Sequence, residues 1–224
     1  MVMIDSDFES TAALGLHEYL HARDSGLAHD LIGAPRGRIL DVGSGDGEDL
    51  DLLESRGWSP VGIDPTGRGH HARGSVIGVG ESLPFRNGSF SGATSILVLP
   101  HVADPPRVVR EIHRVLRPGA LAAFVVFSAS PLNARIALAQ HTPPGASHSF
   151  NARLFTRRAI RRLLQTCFHV AYCERSDFLP WMTGRMPPLL RSRILWDLDR
   201  LDSRLSRSPV AFLARKIVAV GVKA

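Results

Sequence analysis

The chain has 224 residues, 44% hydrophobic and 21% charged, with a formal charge of +6 and an isoelectric point near 10.3. That length and apolar share suit one globular domain with a full core and exclude a disordered chain. Apolar runs such as Leu121 to Phe127 are too short to span a bilayer, and Met1 to Ser10 carries three acids and no secretory n-region, so no membrane partner and a cytoplasmic location are expected.

Lysine occurs only at Lys216 and Lys223, so the positive charge is almost wholly arginine, a compositional bias rather than a patterned basic stripe. No aromatic-interleaved basic tract accompanies it, and nucleic acid is not expected as a partner. Cys167 and Cys173 form no CxxC pair and match no zinc spacing; they read as small apolar residues in or near a strand.

In chain order, Ala12 to His21 and Leu27 to Ile32 predict two short helices, closed by Gly33, Pro35 and Gly37. Arg38 to Val42 is a short apolar strand, Gly43-Ser44-Gly45-Asp46-Gly47 a turn, and Leu50, Leu52 and Leu53 line a helix ending near Gly57. Ser59 to Ile63 predicts a second strand, Ser75 to Val79 a third and Phe90 to Leu99 a fourth. Asp104 to Leu116 carries Val108, Ile112, Val115 and Leu116 on one helical face, and Arg117-Pro118-Gly119 is expected to end it. Ala120 to Phe127 is uninterruptedly apolar, as a strand covered on both faces requires, and the element order argues for a parallel sheet. Ser128 to Leu154 reads as an insertion with a short helix over Ala134 to Gln140. Thr156 caps a helix reaching about Thr166, Phe168 to Glu174 is a strand, and Lys216 to Val222 the last strand. Between these two strands, Leu190, Ile194, Leu198, Leu201 and Leu205 form a helical stripe suited to a lid or a homodimer contact.

A glycine-rich turn between a buried strand and a helix lets backbone N–H groups approach a ligand. Asp64, about twenty positions on at the end of the next strand, is placed to accept from ribose hydroxyls. The pair implies an adenosine-bearing cofactor. A dinucleotide fingerprint would need glycine at position 48, which is Glu48, and Asp41 beside the turn would repel a pyrophosphate. The same carboxylate suits a ligand carrying an ammonium and a sulfonium, which favours S-adenosylmethionine.

Ile39 to Gly47, Val61-Gly62-Ile63-Asp64, Gly80 to Phe85, and Leu99-Pro100-His101-Val102 through Glu111 to Gly119 resemble, in order and spacing, successive motifs of class I methyltransferases of the small-molecule type 11 group. The resemblance covers about residues 36 to 127. It implies an α/β fold, a doubly wound, Rossmann-like, mostly parallel seven-stranded sheet with a partly helical cap from residues 1–33, 128–154 and 178–213. It also implies that Asp41, Gly43, Ser44 and Gly45 bind the methionine moiety and Asp64 the ribose. Pro65 would lie on one adenine face, Val79, Gly80 and Glu81 along the adenine edge, and Ile96 and Leu97 beside the transferring methyl. The family has an acid where Val79 stands, so backbone groups would serve the adenine amino group, and another where Ser91 stands, a structural difference.

His101 occupies the family's histidine position after the fourth strand and is the candidate general base, with a packed structural histidine as the bland alternative. His141 and His148 are weaker candidates, and Tyr19 could close over the cofactor. His70-His71 reads as solvated loop rather than metal ligand, because adjacent histidines point apart. Arg157, Arg158, Arg161 and Arg162, preceded by Arg153, sit where the helix dipole disfavours them, a hint of an acidic partner or substrate against a merely solvated face. Trp181, Met182 and Trp196 could line an acceptor pocket or be the core of their own element. The expected function is methyl transfer to a small molecule, most simply a hydroxyl of a natural-product or sugar-like acceptor. The rivals are a methyltransferase-like protein that binds the cofactor without transferring methyl, and a nucleic-acid methyltransferase. The second is disfavoured because Leu99-Pro100-His101-Val102 stands where an Asn/Asp-Pro-Pro-aromatic motif would be.

Overall fold

The computed structural model describes residues 25–34, 37–66, 74–134, 153–177, 204–205 and 208–224. Seven strands form one sheet: β1 (Arg38–Val42), β2 (Ser59–Asp64), β3 (Ser75–Ile77), β4 (Phe90–Ile96), β5 (Leu116–Phe127), β6 (His169–Ser176) and β7 (Lys216–Val222), in the order β3-β2-β1-β4-β5-β7-β6. The first five pair in parallel, and β7 runs antiparallel between β5 and β6. The mostly parallel, doubly wound sheet expected from the sequence is therefore present.

Both faces of the sheet are covered, which explains the uninterrupted apolar runs. Alternate residues of β5 and β7 divide between the faces: Ala122, Phe124, Val126, Ile217 and Ala219 join one core, whereas Ala123, Val125, Val218 and Val220 join the other. The helices α2 (Pro105–Val115) and α3 (Arg157–Gln165) cover the first face. Leu53 of α1 (Glu48–Ser55), Trp58 and the helical stretch 25–32, through Ala28 and Ile32, cover the second.

Capping places each helix. The Asp104 carboxylate accepts from Arg107 N at 3.0 Å to start α2, and the Thr156 hydroxyl accepts from Ala159 N at 3.0 Å to start α3. Glu48, Asp49 and Asp51 occupy the first turn of α1, where the helix dipole favours acids.

Several boundaries differ from expectation, β6 among them, which runs His169–Ser176 where the sequence predicts Phe168 to Glu174, and three of the differences have a local reason. The third strand ends at Ile77 rather than Val79, because its partner β2 stops at Asp64, whose carbonyl takes Gly78 N, and the chain then turns with Ser82 N donating to Val79 O. The fourth ends at Ile96 rather than Leu99, because Leu97 adopts φ +58° and breaks the extended backbone. Arg117-Pro118-Gly119 does not separate helix and strand: α2 stops at Val115, Leu116 is already extended and pairs with Phe90, and the register between Phe90 and Gly92 shifts around those residues. The Lys223 ammonium donates to His113 O and Leu116 O, both at 2.8 Å, closing the end of α2.

The helices expected over Ala12 to His21 and Ala134 to Gln140, and the stripe from Leu190 to Leu205, lie outside the described residues except for helical residues 131–134 and 204–205.

Candidate functional site

The chain runs β1, β2, β3 to one side and then crosses to place β4 on the other side of β1, so a crevice opens at the carboxyl ends of β1 and β4. The loop after β1 lies there. Gly43 N and Ser44 N both donate to Ile63 O, at 2.7 and 3.2 Å, which folds the loop back over β2. Gly43 has φ +79°, and a Cβ there would overlap the Val98 side chain. Gly45 has φ +50° and no heavy atom within 4 Å of where its Cβ would be, so its backbone faces open space.

The carboxylate of Asp64 turns toward this loop: Oδ2 accepts from Gly45 N at 3.1 Å, and Oδ1 accepts from the amide and hydroxyl of Thr66. Those donors take three of roughly four lone-pair sites of a carboxylate, leaving acceptor capacity on Oδ2. Asp41 is 2% exposed. Its Oδ1 accepts from Thr94 Oγ1 at 2.7 Å, and Oδ2 has no hydrogen-bond partner among the described residues. Burial, reinforced by Asp49 and Asp64 and opposed by the Thr94 hydroxyl, pushes the Asp41 pKa from 3.8 up to about 8. A buried oxygen without a donor, beside two further acids, suits a cationic group such as an ammonium. Thr94 and Asp49 escape a sequence reading: one is a polar residue in an apolar strand, the other adjoins the apolar stripe of α1.

The other expected residues divide. Ser44 is buried with its hydroxyl against Gly62, so its side chain faces β2 and not the crevice. Pro65 and Val79 are exposed beyond the ends of β2 and β3, Val79 by 45%, and Ile77, the last residue of β3, is 58% exposed. Gly80 packs against Val42 and Val108, where a Cβ would come within 3.2 Å of both. The Glu81 carboxylate accepts from Ala103 N at 3.2 Å and its carbonyl from Arg107 Nε at 2.8 Å, so this side chain is spent on the start of α2 and leaves backbone groups for a ligand edge. Ile96 and Leu97 are partly buried at the end of β4.

Two further residues hold this region. Glu111 Oε2 accepts from Leu83 N at 2.9 Å, and Arg114 donates to Leu83 O, Phe85 O and Asn87 Oδ1 at 2.8 to 2.9 Å while pairing with Glu111. The motifs at 80–85 and 111–119 are thus two halves of one hydrogen-bonded unit. Ser91 Oγ accepts from Arg117 Nη1 at 3.4 Å, the structural part expected of it.

His101 is exposed, its ring edge-on to Phe127 with centroids 6.2 Å apart, and its backbone N–H donates to Val98 O at 2.8 Å. Partial burial of the ring lowers its pKa from the ordinary 6.5. Tyr19, His70, His71, His141, His148, Trp181, Met182 and Trp196 lie outside the described residues. Among the described residues no group of three or more side chains could hold a metal, and no helix is long and apolar enough to cross a membrane.

Comparison with known proteins agrees with this geometry. Residues 17–167 match a family model described as a methyltransferase domain. An uncharacterized methyltransferase of Mycobacterium sp. (strain KMS) is 42% identical over 96 residues, 39% of this chain and 38% of that one, so the matched stretch spans well under half of the relative. A possible histamine N-methyltransferase of Thermotoga maritima superposes with a TM-score of 0.66 at 20% identity, covering 93% and 91% of the two chains. Geranyl diphosphate C-methyltransferase of Streptomyces coelicolor, in complex with S-adenosyl-L-homocysteine, superposes with a TM-score of 0.65 at 14% identity over 100% and 86%. The family match covers most of the chain: this protein belongs to the class I S-adenosylmethionine-dependent methyltransferases, the family whose cofactor is S-adenosylmethionine.

Proposed function

We propose that the chain transfers the methyl group of S-adenosylmethionine to a small-molecule acceptor, with a hydroxyl of a natural-product or sugar-like compound as the acceptor group. One observation carries the reading: Oδ2 of the buried Asp41 has no hydrogen-bond partner among the described residues, and the Asp64 carboxylate, close enough to Asp41 to raise its pKa, turns toward the glycine loop at Gly45 N. Asp41 is assigned to the ammonium and Asp64 to the ribose. Backbone of Gly43, Ser44 and Gly45 holds the amino-acid tail. Pro65 and Val79 supply apolar cover for the purine, backbone at Gly80 and Glu81 its polar edge, and Ile96 and Leu97 a wall beside the methyl.

When bound, the cofactor supplies an electrophilic methyl on a sulfonium, and its transfer neutralises positive charge. The chain's part is alignment and exclusion of water, effects that can lower a barrier by about 7–11 kcal/mol when reacting atoms are held in line. His101, neutral at pH 7 because its pKa is lowered, is the group assigned to take the acceptor's proton.

Residues 36–127 form the cofactor-binding core of a single domain, and residues 1–33, 128–154 and 178–213 its acceptor-covering elements. Support comes from where the chain leaves and re-enters the sheet. Ser128 N donates to Arg215 O at 2.8 Å, Ala129 N to Phe155 O at 2.7 Å and Asn133 Nδ2 to Arg215 O at 2.6 Å, all at the carboxyl edge that also carries His101.

Isothermal titration tests the cofactor assignment. Both S-adenosylmethionine and S-adenosylhomocysteine should bind, and Asp64→Ala should weaken both; unchanged affinity in the variant removes the ribose role. A second reading, cofactor binding without methyl transfer, draws on Val79, an exposed apolar residue at the family's acidic position. Release of S-adenosylhomocysteine with any member of an acceptor panel decides for transfer.

A further inference from the structure

The arginines of α3 take no part in the chemistry above. Arg157 and Arg161, one helical turn apart, face a groove of about 430 Å³ whose other wall is Val170 to Glu174 of the edge strand β6. Arg157 is fixed in place: Nε donates to Cys173 O at 2.7 Å and Nη2 to Glu174 Oε1 at 2.7 Å. Up to three of its five N–H donors remain. Arg161 has no hydrogen bond or ion pair to any described residue, and the acid lining the groove, Glu174, is already engaged by Arg157.

Arg161 lines the groove beside Arg157, and both arginines pull down the pKa of the Cys173 thiol, which burial raises. α3 has no acid of its own. Like charges one turn apart destabilise a helix, and cations in its first turn oppose the dipole. A bound anion offsets both costs. A second copy of the chain docked here would instead bring arginine against arginine.

We propose that this groove binds a small oxyanion, the carboxylate or phosphate group of a soluble ligand distinct from methyl donor and acceptor, with Arg161 as the free fork and Arg157 as the pre-set second donor. The groove is three strand spacings from β4, about 14 Å, so its ligand cannot touch the transferring methyl.

Thermal unfolding of the full chain at constant ionic strength, titrated in separate arms with pyrophosphate and with citrate, tests this. The wild type should show a saturable rise in Tm with at least one anion, the stronger arm identifying the group. Arg161→Gln should weaken the response about ten- to a hundredfold, the worth of a charge-assisted hydrogen bond of about 1.5–3 kcal/mol. Arg162→Gln, which does not line the groove, should leave it unchanged, and both variants should bind S-adenosylhomocysteine as the wild type does. Equal responses in the two variants, or no saturable response of the wild type to either anion, overturns the proposal.

Discussion

Thr94 Oγ1 donates to Asp41 Oδ1 at 2.7 Å across the register pair that joins β4 to β1, which holds one carboxylate oxygen and leaves the other buried without a partner among the described residues. Burial first, then Asp49 and Asp64, raises the Asp41 pKa from 3.8 to about 8. A carboxyl whose folded pKa lies above its unfolded value stabilises the fold fully below the unfolded value and loses that contribution as pH climbs through the folded one. Asp41→Asn keeps the neutral shape at every pH. Without cofactor, its Tm should match the wild type near about pH 4 and exceed it increasingly toward about pH 8. Its affinity for S-adenosylhomocysteine should drop about ten- to a hundredfold, as loss of a charged hydrogen bond worth about 1.5–3 kcal/mol requires. A Tm difference that does not change with pH would show that Asp41 is ionised in the free protein.

The loop after β1 depends on one contact with the segment after β4. A methyl at Gly43 overlaps the Val98 side chain and also meets φ +79°, so Gly43→Ala faces two penalties. Overpacking costs about 1–3 kcal/mol and a left-handed non-glycine residue about 1–2. Adding Val98→Ala should recover the steric part and leave the backbone part. Urea denaturation of both single variants and the double variant measures the difference, and strict additivity of the two single losses would refute the overlap.

Much of this arrangement is legible in the residues alone. The limits of β1 and β7 coincide with their apolar runs, because glycine before one and arginine before the other end the pattern sharply. The turn and Asp64 follow from spacing. What escapes is whatever depends on register or on backbone conformation without a residue signal. Leucine carries no mark of φ +58°, so the end of β4 at Leu97 is invisible in sequence. Thr94 reaches Asp41 only because β1 and β4 pair in one register, and Ser44 turns from the crevice because Gly62 leaves room for its hydroxyl. Arg157, read as part of a solvated face or as a hint of an outside acid, meets an acid of its own chain, Glu174, in a strand that lies beside α3 only in three dimensions.

Glu111 and Arg114 lie one turn apart on α2 and together hold the loop from Leu83 to Asn87. Hydrogen bonding to Arg114, strengthened by Leu83 N, holds the Glu111 carboxyl below its ordinary 4.5 against the cost of burial. A depressed folded pKa contributes stability that is present above the unfolded value and lost as pH falls through the folded one. Glu111→Gln should therefore cost about 1–2 kcal/mol at neutral pH and progressively less in acid. Arg114→Ala should cost more, about 2–4 kcal/mol, because it takes the arginine donor from the carbonyls of Leu83 and Phe85 and leaves the Glu111 carboxylate with Leu83 N but no cation. Chemical denaturation across pH checks both, and a Glu111→Gln penalty that persists undiminished in acid would sink the assigned cause.

His101 separates a chemical role from a packing role by its pH signature. Its ring is edge-on to Phe127 at the carboxyl end of β5, and partial burial places its pKa below 6.5. A base must be unprotonated to act, so kcat with a hydroxyl acceptor should hold level through neutrality and fall only as pH drops below that ordinary imidazole value. His101→Gln should remove this acid limb and lower kcat by about 10²–10⁴, the range typical of a general base, with S-adenosylmethionine affinity little changed. If the residue only packs against Phe127, the variant will lower Tm and leave the pH profile of kcat where it was.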